Sequence, residues 1–134
     1  MDNRVIREEY AEIAAEIIKE ETELLADIRN SEATIIYLGS DYPKKSKGKT
    51  VLGECEKVQS KNKWAIPCDF TITVYEPNCF GLSRDQLKIL LLHELLHVGI
   101  KFEEDGTEKY YIKPHDYEDF KVITDRYGTE WGTV

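Results

Sequence analysis

The stretch KILLLHELLHVGI, Lys88 to Ile100, constrains the fold more than any other part of the chain. A helix that is apolar on every side belongs in a core, yet this one carries His93, Glu94 and His97 in its middle. Burying two imidazoles and a carboxylate without partners costs on the order of several kcal/mol. A chain that folds around this run must supply those partners.

The spacing says what the partner is. Residues four apart share one helix face, so His93 and His97 can meet a single metal ion in this HExxH pattern. Glu94 is offset by about 100° from His93, near enough to reach water beside that ion. Zinc suits the set best: two neutral imidazoles, a third protein ligand and an open fourth position. One Zn2+ per chain is therefore the expected cofactor, with Glu94 as general base.

The third ligand is sought downstream. Only one histidine remains, His115 in KPHDYEDF, beyond a turn that can bring the chain back. Its competitors are carboxylates, chiefly Asp119 and Glu118, and the thiol of Cys79. Asp116, Glu118 and Asp119 crowd one turn. There they either fix the tautomer of a ligating histidine or complement a helix dipole. Tyr110, Tyr111, Arg126 and Tyr127 are each able to stabilise an oxyanion, and nothing in the sequence picks one.

The rest of the chain reads as α+β. Residues 3–29 are expected to form a long amphipathic helix, with Ile6, Tyr10, Ile13, Ile17, Leu24 and Ile28 on one side. Ala33–Gly39 is β-branched and reads as a buried strand. SDYPKKSKGK reads as a loop, and Thr50–Val58 as a strand. In Trp64–Glu76, Phe70, Ile72 and Val74 alternate with Thr71, Thr73 and Tyr75, the pattern of a half-buried strand. Pro67 suggests that this strand lies at an edge or has an irregular entry; at an edge, an extended peptide could align by strand addition. Ser83 and Gln86 form a capping box for a helix from about Arg84 to Ile100. A turn at Glu103–Thr107 and a short strand over 108–113 follow. After Pro114 comes a last helix with Phe120, Ile123 and Tyr127 on one side, closed by Gly128. The expected architecture is one domain over 1–134. It has a long N-terminal helix, a small three- to four-stranded mainly antiparallel sheet, the HExxH helix and a C-terminal helix.

Charge and cysteine usage narrow the partners. A net charge of −8 disfavours nucleic acid, and the one basic cluster, KKSKGK, reads as a solvated loop. The acidic N-terminus does not read as a signal peptide. No run reaches the roughly 18 apolar residues of a membrane span. Cys55, Cys68 and Cys79, an odd number with no CxxC pair, are expected to be reduced thiols in a cytoplasm. A monomer acting on a protein or peptide substrate is expected.

HELLH followed by His115, Asp116, Asp119 and Phe120 resembles the phage metallopeptidases, small proteins carried by phages and prophages. More broadly it is similar to the SprT-like zinc proteases, although here the phenylalanine falls one place later and the glycine of their pattern is absent. The resemblance implies a zincin-like core and metal-dependent peptide-bond hydrolysis in a host cytoplasm. It also implies His93, His97 and His115 as ligands, with Glu94 as base. The metzincin pattern does not fit, since Ile100 and Glu103 stand where it needs glycine and histidine. Two other functions stay open: a non-catalytic zinc-binding module with four protein ligands, and a hydrolase of small amides.

Overall fold

A computed structural model describes residues 3–115, 121–128 and 131. The elements run β1 (Arg4–Ile6), α1 (Glu8–Glu20), α2 (Ala26–Asn30), β2 (Ile35–Ser40), β3 (Lys45–Ser46), β4 (Lys49–Thr50), β5 (Gly53–Lys57), β6 (Phe70–Tyr75), α3 (Arg84–Leu96), β7 (Val98–Phe102), β8 (Glu108–Ile112) and α4 (Lys121–Tyr127). This is a mixed α+β fold. Its main sheet has the strand order β1-β2-β6-β5, and β3-β4 and β7-β8 are separate two-stranded ribbons.

The expected long N-terminal helix is three pieces. Arg4, Val5 and Ile6 pair antiparallel with Ser40, Gly39 and Leu38, so the first residues form an edge strand. Arg7 keeps an extended backbone and donates its N–H to Tyr37 O at 3.0 Å. Only from Glu8 does the helical period take over, and α1 buries Tyr10, Ile13, Ala14 and Ile17 at helical spacing. Apolar periodicity alone missed the break because Ile6 happens to fall in phase with the helix that follows.

β6 is an inner strand, not an edge. It runs parallel to β2 on one side and antiparallel to β5 on the other. All six of its residues are buried, rather than half of them. Phe70, Ile72 and Val74 join the core with α1 and α3. On the opposite face Arg4 reaches across from β1, donating to Thr73 Oγ1 at 3.1 Å and to Tyr75 OH at 3.4 Å. Pro67 lies in the approach to the strand, outside its ladder. Strand addition at β6 is therefore ruled out, and the outer strands are β1 and β5.

The second half of α3 is enclosed on every side, with every residue from Leu90 to Leu96 buried. The start of α3 is the expected capping box: Gln86 N–H donates to Ser83 Oγ at 3.1 Å and Ser83 N–H to Gln86 Oε1 at 2.9 Å. Lys88 ties its outer face to α1 through Glu16 and Glu20. The helix ends at Leu96 rather than Ile100, because Val98–Phe102 pairs with β8. The turn between β7 and β8 uses Gly106 at φ 88°, and Gly128 after α4 takes φ 79°, as a cap glycine does. No described helix is long and apolar enough to cross a membrane. Cys55, Cys68 and Cys79 are free thiols.

Candidate metal centre

The two helical histidines occupy the last turn of α3 and its cap position. This end of a helix carries the negative pole of the backbone dipole, which favours a cation there. His93 is buried and His97 half-buried. His115 arrives from beyond β8, whose pairing with β7 brings the chain back alongside His97. The fold thus delivers three imidazoles to one place, and their candidate ligand nitrogens all lie within 4.8 Å of one another. His115 Nε2 stands 2.8 Å from His93 Nε2, and the His97 and His115 ring centroids are 4.3 Å apart.

A backbone clamp orients His97. Lys113 donates its N–H to His97 O at 2.7 Å, and Lys113 O lies 2.6 Å from His97 Nδ1. A carbonyl only accepts, so Nδ1 carries the proton and the lone pair is on Nε2. This is the arrangement that fixes a metal-ligating imidazole in one tautomer. The donor set of three imidazoles, one of them held this way, fits a divalent metal ion.

Glu94 is buried, only 3% exposed, and faces the inner side of β5. A Cβ added at Gly53 would come within 3.3 Å of Glu94 Oε2 and 3.0 Å of Thr73 O, so glycine is what allows this close approach. Cys55, two residues along the same strand face, has its thiol pushed up by burial and then by the Glu94 charge.

The chain matches the sequence model of the family described as "Putative phage metallopeptidase" over residues 3–134. It belongs to that family. No curated protein and no solved structure matches the chain. The family match spans the N-terminal half as well as the histidine cluster.

The other candidate residues stand as follows. Asp116, Glu118 and Asp119 lie outside the described residues. Cys79 donates its thiol to Leu52 O at 3.5 Å, and burial followed by the Glu76 charge pushes it up to about 11, so it stays protonated at neutral pH. Tyr110 OH donates to Glu108 at 2.8 Å and its ring meets Phe70 edge-on. The Tyr111 ring covers Gly99 and is partly exposed. Arg126 donates to Glu21 at 3.0 Å, fastening α4 to the end of α1. Tyr127 is also partly exposed.

Two neighbours were not anticipated. Gly53 could have been flagged, since a glycine inside a strand pattern often marks a close approach. Trp131 gave no such signal. Its ring centroid is 5.8 Å from that of His93, and Gln86, already part of the α3 cap, donates to its carbonyl at 3.1 Å. Trp64, by contrast, is 87% exposed. In a Trp64→Phe protein, whose remaining indole is Trp131, added Co2+ is expected to quench the emission stoichiometrically. Unchanged emission while the metal binds would contradict the placement of that ring.

Proposed function

We propose that the protein is a zinc-dependent peptidase of SprT-like, zincin-type layout, with His93, His97 and His115 as metal ligands and Glu94 as general base. The observation that carries this reading is the convergence of three imidazoles beside a buried glutamate on one helix, in a chain of a metallopeptidase family. A bound zinc ion would supply a Lewis acid, polarising a carbonyl oxygen and lowering the pKa of water. The chain's own residues do the rest. Glu94 takes the proton from the attacking water and returns it to the leaving amine. Apolar neighbours along α3, Leu92, Leu95 and Leu96, hold the helix and keep bulk water away. The Lys113 clamp on His97 keeps the ligand set in place.

Peptides are favoured over small amides as substrates because β5 is an outer strand and begins beside Glu94. An extended chain added to that edge would gain main-chain hydrogen bonds. A purely structural site is disfavoured, since Cys79, one of its candidate fourth ligands, is a protonated thiol bonded to Leu52 O. Such a site would also have no use for a buried Glu94.

The test is hydrolysis of a denatured protein or peptide mixture by the zinc-loaded chain, with cut products read by mass spectrometry. Cleavage should disappear on treatment with a chelator and return when zinc is added back. Cleavage that survives complete removal of the metal would refute the reading.

A further inference from the structure

The lysine cluster is not a loose solvated loop. β3 and β4 pair Lys45 with Thr50 and Ser46 with Lys49. The two residues between them, Lys47 and Gly48, both take positive φ, 52° and 77°. This is the backbone of a tight two-residue hairpin turn, whose twist matches its strands. The base of the ribbon is clamped. Asn78 Nδ2 donates to Lys44 O at 3.0 Å and to Val51 O at 2.7 Å, and Val51 N–H donates to Lys44 O at 3.1 Å. The Lys44 ammonium is neutralised by Glu54 and stands 5.5 Å from the centre of the Tyr75 ring. Beyond it Lys45, Lys47 and Lys49 project into solvent. Lys45 and Lys47 make no ion pair among the described residues.

The ribbon's position gives it a role. From Thr50 the chain passes through Val51 and Leu52 directly into β5. Leu52 O already accepts from Tyr75 N–H at 2.9 Å, so the ladder starts there. Gly53, the head of β5, is the residue packed against Glu94. The cationic ribbon therefore stands at the end of the outer strand closest to the general base. At about 3.3 Å per residue, Lys49 is on the order of 13 Å from Gly53 along an extended chain.

We propose that this hairpin selects acidic segments of the peptide substrate. A peptide extended along β5 would bring residues about three to five positions from its scissile bond within reach of Lys45, Lys47 and Lys49. The inference rests on the peptidase reading above. A chain of net charge −8 repels an acidic peptide from most of its surface. The local cations thus decide where, and in which register, such a peptide docks. A nucleic acid is the poorer occupant, because its continuous phosphate charge would run on over the acidic surface.

The experiment measures binding first, so that it does not depend on catalysis. A fluorescent peptide with a cluster of Asp and Glu, and the same peptide with Asn and Gln in their place, are titrated by fluorescence anisotropy against the zinc-loaded protein and its Lys45→Glu/Lys47→Glu variant. Both substituted positions are exposed, and circular dichroism checks the fold. The acidic peptide should bind the parent roughly tenfold more tightly than its neutral analogue, and the variant should remove that preference. The preference should also shrink with added salt. Equal binding of the two peptides, or a preference untouched by the variant, overturns the proposal. So does a single-stranded oligonucleotide that binds more tightly than the acidic peptide. Parallel digestion of a peptide library separates the two claims. If the parent cuts nothing yet keeps the acidic preference, the peptidase reading fails and the docking surface stands. If it cuts without acidic enrichment at one side of the cut sites, the docking proposal fails and the peptidase reading stands.

Discussion

Glu94→Gln is expected to lower kcat by about 10²–10⁴-fold while leaving metal content and thermal stability close to those of the parent. The amide has nearly the shape of the carboxylate, so the packing against Gly53 survives. What is lost is a group able to accept a proton. Glu94 is not one of the three candidate ligands, so the imidazoles keep their positions. The comparison is made on zinc-loaded proteins with one peptide substrate, alongside melting curves and elemental analysis. A variant that keeps full activity would remove Glu94 from the chemistry. One that loses its metal as well would mean that Glu94 supports the centre rather than the reaction.

His97→Ala is expected to have the largest effect on stability of any change at the centre. It removes one of three candidate ligands and also the Nδ1–H donor to Lys113 O. An ion held at a hundred times its dissociation constant adds about 2.7 kcal/mol to the folded state. A lost hydrogen bond of this kind adds about 1 kcal/mol to the deficit. Melting in the presence of zinc should therefore fall well below that of the parent, whereas the two proteins should differ by much less under chelator. A variant equally destabilised with and without zinc would show His97 to be a packing residue.

Much of the centre was legible because its chemistry is local. The spacing of His93 and His97 on one helix needs only 3.6 residues per turn, and the capping box at Ser83 needs only the residues Ser and Gln three apart. His115 stood out as a candidate by the scarcity of histidine, and the return of the chain through β7 and β8 places it beside His93 and His97. Less legible were the features set by pairing between distant segments. The place of β6 in the middle of the sheet depends on β2 arriving from one side in parallel, which no alternation in Phe70–Tyr75 encodes. The strand at Arg4–Ile6 exists because Leu38–Ser40 offers it an edge. The hairpin at Lys45–Thr50 hid behind its charge, although Lys47-Gly48 has the composition of a tight turn. Trp131 meets His93 from far along the chain, a contact that sequence spacing does not disclose.

The central claim is that three histidines form one metal centre, and it is tested most directly by counting metal. Untagged protein, purified without chelator and dialysed against zinc, should carry about one ion per chain by elemental mass spectrometry, as a three-histidine site requires. The His115→Ala protein, folded by circular dichroism, should retain little or none after the same treatment. A parent that takes up no metal while fully folded, or a His115→Ala protein that binds as much as the parent, would contradict the account.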